Sequence, residues 1–364
     1  NAVTRVAVLY QAIEPPIING VRKPMKPGGY RDSGADIAYN LQNSNTVQVV
    51  CPVPKPVPEN DLEWCFPDTE EGILHAVDKG ATHLWANTIL FASHPLQTSA
   101  TLKKVQDSLR IVGQGPLTVE RYDDKELVNN LLRRTGGFTM PRAWTFHYSS
   151  TSATELQQAD LPFPIVAKPI RGRGSHGVRV CQNLQDLTSH AEGLFKESPT
   201  IMLEEYLAGE EATVTVMPPN AQTPSHWSLP IVTRFNHQDG IAPYNGVVAV
   251  TANSRVITKE EERDPAYGEI ARECEGVAGI LGVTAPIRID VRRFEDSPGS
   301  KFALFDVNMK PNMTGPGRPG RDDQASLTLL AAEALGWDYP ELLRQILNTS
   351  STLKTLREQR PKAE

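Results

Sequence analysis

Two short stretches, Arg288-Ile289-Asp290 and Asp306-Val307-Asn308, set two carboxylates, an amide and a guanidinium at alternate positions of apolar, β-branched runs. Alternate residues of a strand share a face, so Arg288 and Asp290 point together, as do Asp306 and Asn308. Hard oxygen ligands this few, with positions left open for water and phosphate, suit Mg²⁺ held jointly by protein and nucleotide. A second group is RGRGSHG, residues 171–177, between the apolar runs PIVAK (164–168) and VRVC (178–181). Its glycines let backbone N–H groups approach phosphate oxygens, while Lys168, Arg171 and Arg173 add positive charge at the same end of the hairpin. It is neither a Walker loop nor a GxGxxG opening a helix. A third is EEYLAGEE, residues 204–211, where an extended run can offer peptide groups to an adenine edge and a carboxylate to ribose hydroxyls. Each group also has a plainer reading: surface-facing strand residues, a flexible hairpin, a solvated acidic turn. No Ser/His/Asp or Cys/His arrangement is evident.

These residues need a frame. Arg5–Tyr10 reads as a buried parallel strand and Asp32–Leu41 as a helix; strands at Thr46–Cys51 and His83–Trp85 with a helix near Glu70–Lys79 continue an alternating pattern that implies a parallel sheet, ending near Gly113 or Gly115. Between the first strand and helix lies EPPIINGVRKPMKPGGYR (14–31), whose four prolines and three glycines predict no regular structure and in which Arg22, Lys23, Lys26 and Arg31 cluster. Beyond a helical segment at Asp123–Thr135 the pattern changes. Strand candidates at Pro164–Lys168, Val178–Cys181, Thr200–Tyr206, Ala212–Met217, Val247–Thr251, Ile287–Arg293 and Phe302–Asn308 suggest antiparallel pairing. A last helix, Gln324–Leu335, precedes a charged tail, Leu353–Glu364, expected to have little to bury.

At 364 residues two or three subdomains are expected. Hydrophobic residues at 39%, charged residues at 22% and no long apolar run predict a soluble protein with no membrane partner. A net charge of −6 without like-charged blocks argues against nucleic acid and for small-molecule partners. Cys51, Cys65, Cys181 and Cys274 are far apart, so reduced buried thiols are expected, and with no leader at the start of the sequence so is a cytoplasmic location.

Taken in order, DDKEL (123–127), FPIVAKPIRGRGSHGVRV (163–180), IMLEEYLAGEEATV (201–214), RIDV (288–291) and FDVNMKPNMT (305–314) resemble the ATP-grasp superfamily, most closely its D-alanine:D-alanine ligase branch, across roughly residues 113–347. The resemblance implies an α/β fold in which an N-terminal parallel domain (1–112) is followed by two α+β subdomains (113–199 and 200–364) that clamp ATP. It implies that Lys125 and Lys168 hold nucleotide phosphates and that the loop with Arg173, Gly174, Ser175 and His176 closes over them. Glu204, Glu205, Tyr206 and Leu207 would meet adenine largely through backbone atoms, and Glu211 the ribose. Asp290, Asp306 and Asn308 would ligate Mg²⁺, with Asp306 where the family often has glutamate, and Arg288 would steady an oxyanion. The implied activity is a carboxylate-amine ligation through an acyl phosphate, its cofactors ATP and Mg²⁺; a small-molecule kinase and a D-alanine:D-alanine ligase proper are the alternatives. Relatives are often dimers, which nothing in the sequence establishes here.

The resemblance fails at the substrate side. Where the family has a glycine-rich turn and a short acidic motif after the first strand, residues 10–34 are longer and basic, with Glu14 the candidate for the family's glutamate and Arg22, Lys23 and Arg31 beside it. Asn312 stands where glycine is common, and residues 314–327 bring in Arg318 and Arg321. The family's lid corresponds in position to residues 236–246, where Tyr244 is a candidate contact. Cations converging on a pocket favour carboxylates, so substrates more acidic or larger than alanine are expected.

Overall fold

The computed structural model describes residues 3–45, 47–149, 152–242 and 249–362. Arg5–Tyr10 lies inside a six-stranded sheet, where it pairs in parallel with Gln48–Val49, Cys65–Pro67 and His83–Asn87; His83–Asn87 in turn pairs with Arg110–Val112. Val6, Ala7, Val8 and Leu9 are all fully buried, because helices cover both faces. On one side the helix Arg31–Asn43 packs Ile37, Ala38 and Leu41 against helices Leu327–Glu333 and Tyr339–Leu347. On the other lies the helix Glu70–Asp78, whose first turn is capped by the Thr69 hydroxyl accepting from the Gly72 N–H.

The tail differs from its expectation. Ser351–Thr352 adds an antiparallel edge strand to Arg110–Val112, and the short helix Leu353–Glu358 follows. Leu353 and Leu356 are fully buried in the core of the first sheet, so two leucines outweigh the charge around them.

The remaining sheets are antiparallel. One runs Arg179–Cys181, Ile165–Pro169, Thr200–Glu205, Ala143–His147; the other runs Ser254–Val256, Val232–Arg234, Glu211–Met217, Ile287–Arg293, Phe302–Asn308, with Trp227–Ser228 also on Glu211–Met217. The expected strand at Val247–Thr251 is instead the short helix Val250–Asn253 where it is described; residues 247 and 248 lie outside the described residues. The long helices Leu184–Glu197 and Pro265–Leu281 back the two sheets. Residues 14–31 are not wholly irregular either. Ile17–Ile18 and Val21–Arg22 form a two-residue hairpin, because Asn19 and Gly20 both accept the positive φ such a turn demands, 50° and 78°.

All four cysteines are free and buried. Burial pushes the Cys51 thiol up to about 11, and raises those of Cys65, Cys181 and Cys274 as well. The native protein is therefore expected to give almost no fast reaction with Ellman's reagent at pH 8, and four thiols per chain after denaturation; a fast native thiol would show that one of these sites opens readily.

Candidate active site

The pairing of Ile287–Arg293 with Phe302–Asn308 sets Arg288 opposite Asn308 and Asp290 opposite Asp306, with a register shift after Asp290. Four functional groups thus meet on one face. Arg288 donates from Nε and Nη2 to the two Asp290 oxygens at 2.9 and 3.1 Å, and the Asn308 amide donates to Asp290 Oδ2 at 3.2 Å. Lys125, at the start of the helix Lys125–Thr135, is bonded to Asp306. Burial opposes ionisation of Asp306, but Lys125, Lys168 and Arg288 outweigh it and hold its carboxyl below the usual range. Lys125 and Arg288 are likewise held charged, their burial outweighed by Asp306 and Asp290 respectively.

Among the described residues no three His, Cys, Asp or Glu side chains cluster as metal ligands. Two carboxylates and an amide oxygen are few, hard oxygen donors, a set that fits Mg²⁺ shared with a nucleotide.

The strand Ile165–Pro169 carries Lys168, whose ammonium donates to Glu204 Oε2 at 2.6 Å and to the Phe305 carbonyl at 3.1 Å. Glu204 also accepts from the Asn129 amide at 3.1 Å. The Glu204 side chain, buried at 3% exposure, is thus committed to Lys168, a task that the expectation of a backbone role did not include. In the glycine-rich hairpin Gly174 and Ser175 both take positive φ, 56° and 61°. Arg173 donates to the carbonyls of Pro24 and Met25 at 3.1 and 3.2 Å, which ties the hairpin to the basic loop. His176 bonds with Glu197 on the surface at 2.7 Å.

Two cavities share Lys125, Arg173, Gly174, Ser175, Asp290, Asp306 and Asn308 in their walls. The smaller, about 130 Å³, lies between Val166, Val178, Val180, Leu207 and Phe305, with Glu204, Glu205, Tyr206 and Glu211 along it. Apolar walls beside a strand edge suit a flat heterocycle. Glu211, at 5% exposure, bonds with His237 at 2.7 Å and faces Arg234 at 3.6 Å; sequence reasoning missed both partners, which come from separate strands and loops. The larger cavity, about 600 Å³, continues past Arg288 to Lys23, Lys26, Tyr30, Asn87, Thr88, Lys310, Asn312 and Thr314.

Several expected substrate contacts lie elsewhere. Glu14 and Arg22 pair with each other at 3.0 Å on an exposed hairpin, and neither they nor Arg31 line the cavity. Arg318 is buried at 2% exposure, held by Asp36 at 2.8 Å, by Asp61 at 2.7 Å and by the Pro58 and Asp32 carbonyls. Arg321 also binds Asp36, at 2.7 and 2.8 Å. Neither arginine lines the cavity, so both are corrected from substrate ligands to an ion-pair cluster around Asp36, in which Arg318 is buried and Arg321 partly exposed. Lys23 does line the cavity but is paired with Asp123 at 2.6 Å, and Asn312 lines it too. Tyr244 lies outside the described residues.

A family profile described as D-ala D-ala ligase C-terminus matches residues 137–348. The chain is 26% identical over 185 residues to D-alanine–D-alanine ligase of Aquifex aeolicus, covering 51% of this chain and 56% of that protein. It is 27% identical over 228 residues to D-alanine–D-alanine ligase A of Bacillus cereus, covering 62% and 67%. These alignments span just over half the length of the first relative and two thirds of the second. Among solved structures, the D-alanine–D-alanine ligase of Bacillus anthracis complexed with ATP superposes with a TM-score of 0.62 at 18% identity, covering 98% of this chain and 99% of that one. The VanG D-Ala:D-Ser ligase of Enterococcus faecalis gives 0.60 at 13% identity, covering 96% and 99%. The shared fold is ATP-grasp. No helix among the described residues is long and apolar enough to cross a membrane.

Proposed function

Because the chain belongs to the D-alanine–D-alanine ligase family, whose C-terminal profile covers residues 137–348, we propose that it joins a carboxylate to an amine of amino-acid-like substrates with cleavage of ATP to ADP and phosphate. The observation that carries this reading is a pair of adjoining cavities: a smaller one with apolar walls, a 600 Å³ one lined by Arg288, and Lys125, Asp290, Asp306 and Asn308 shared between them.

The central and C-terminal antiparallel sheets clamp the nucleotide between them. Asp290, Asp306 and Asn308 would hold Mg²⁺, which would supply neutralisation of the phosphate charge. Lys125 and Lys168 turn from Asp306 and Glu204 toward the phosphates, lowering the repulsion that an incoming carboxylate meets. That carboxylate oxygen attacks the γ-phosphorus and ADP leaves. The amine then attacks the acyl carbon, and collapse of the tetrahedral oxyanion, steadied by Arg288, expels phosphate. No side chain serves as nucleophile.

Release of ADP and phosphate from Mg-ATP, measured with amino acids and small dicarboxylates singly and in pairs, tests this. Turnover that needs a pair, yields an amide and vanishes in Asp306→Ala is the expected result. A stable phosphorylated product from one substrate would replace the ligase with a kinase, and failure to bind ATP would end both. The names of the relatives favour a second reading, D-alanyl-D-alanine formation, so D-alanine alone belongs in the panel.

A further inference from the structure

The cations that sequence reasoning assigned to the substrate are mostly spoken for, yet one that it left aside is not. Lys310 follows Asn308 by two residues on the segment leaving the Phe302–Asn308 strand, so its place relative to the reacting centre is fixed by that strand. Lys310 lines the larger cavity, while its Nζ is shielded from solvent and has no hydrogen-bond acceptor among the described residues. The neighbouring ammonium groups differ: Lys23 is on Asp123, Lys125 on Asp306, Lys168 on Glu204. A shielded amine with its donors unused is unfavourable, and it persists where a ligand supplies the acceptor.

Lys310 does not stand alone. Its Nζ sits 3.9 Å from the centroid of the Tyr30 ring, and Lys26 Nζ is 5.1 Å from the same ring. Two lysines thus converge on one aromatic ring, against their mutual repulsion. Asp32 offsets part of it, accepting from Lys26 at 3.1 and 3.3 Å, but its side chain is 38% exposed and gives Lys310 no hydrogen bond. An anion lying between the two ammonium groups would relieve the repulsion and complete the donor set of both. Asn312 and Thr314, in the same wall, add polar groups.

We propose that Lys310 and Lys26, both against the Tyr30 ring, receive a second carboxylate of the substrate whose other carboxylate is activated, so that this substrate is at least a dicarboxylate. This rests on the ligase reading for what happens at the other carboxylate. The same chemistry could serve a nucleotide phosphate, and the experiment separates the two sources.

Binding of malonate, succinate and glutarate to the 364-residue chain is measured by calorimetry, each against the monocarboxylate of equal chain length. Binding of Mg²⁺ with a non-hydrolysable ATP analogue is measured in parallel. At least one dicarboxylate is expected to bind about 10- to 100-fold more tightly than its partner, the range of a charge-assisted hydrogen bond at a shielded site. Lys310→Met removes that preference, Lys310→Arg keeps most of it, and neither changes affinity for the analogue. The arginine variant and an unchanged melting temperature guard against a folding artefact. Absence of any preference in the wild type, or a preference that survives in Lys310→Met, overturns the proposal. So does a loss that falls on the analogue, which would assign Lys310 to a phosphate. Analogue binding without dicarboxylate preference leaves the ligase reading standing; no analogue binding sinks that reading, while a preference that depends on Lys310 would still stand.

Discussion

Arg288→Met is expected to lower kcat by about 10²- to 10³-fold with little change in KM for ATP, the magnitude seen when one donor to a developing oxyanion is removed. Arg288 lines the larger cavity but not the apolar pocket, so nucleotide affinity has little to lose. Two of its five N–H groups go to Asp290, which aligns the fork and leaves others for the cavity. Since the residue serves the second step, hydroxylamine should still trap the acyl phosphate in the variant while amide product falls. A raised KM for ATP at unchanged kcat would instead place Arg288 on the nucleotide.

The largest stability effect is expected at Asp36. Its side chain is fully buried and accepts from both Arg318 and Arg321; removing it as Asp36→Ala leaves two guanidinium groups without their shared counter-charge. Breaking a buried ion pair costs about 3–5 kcal/mol, and the loss here is expected toward the lower end because Asp61 still faces Arg318. Urea denaturation followed by circular dichroism would read it as an earlier midpoint with an unchanged slope. A loss under about 1 kcal/mol, within the range of an exposed pair, would mean that water reaches the cluster in place of the carboxylate.

That cluster also marks the limit of what could be read in advance. The strands Ile287–Arg293 and Phe302–Asn308 are visible in the sequence because period-two alternation is local, and their register follows from a short connection. The burial of Arg318 is not local: Asp36 lies 282 residues earlier, and nothing near Arg318 tells a solvated loop arginine from a buried one. The same holds for Leu353 and Leu356, which look like a frayed tail until the first sheet is seen to receive them. Lys310 lies two residues beyond Asn308, and nothing local in that motif distinguishes a shielded lysine from a solvated one. The hairpin in residues 14–31 is hidden for a different reason: four prolines mask Asn19-Gly20, a local turn signal.

The returning tail sets the order in which the molecule can be assembled. Arg110 Nε donates to Ser350 Oγ across 240 residues, and Thr352 pairs with Arg110 itself. During synthesis the strand Arg110–Val112 therefore leaves the ribosome with one edge open. At about 5–20 residues per second that edge waits on the order of 10–50 s for its neighbour. An unpaired edge is a template for other chains. The nascent chain thus passes through a period of vulnerability to self-association that the finished molecule, with its tail docked, no longer has.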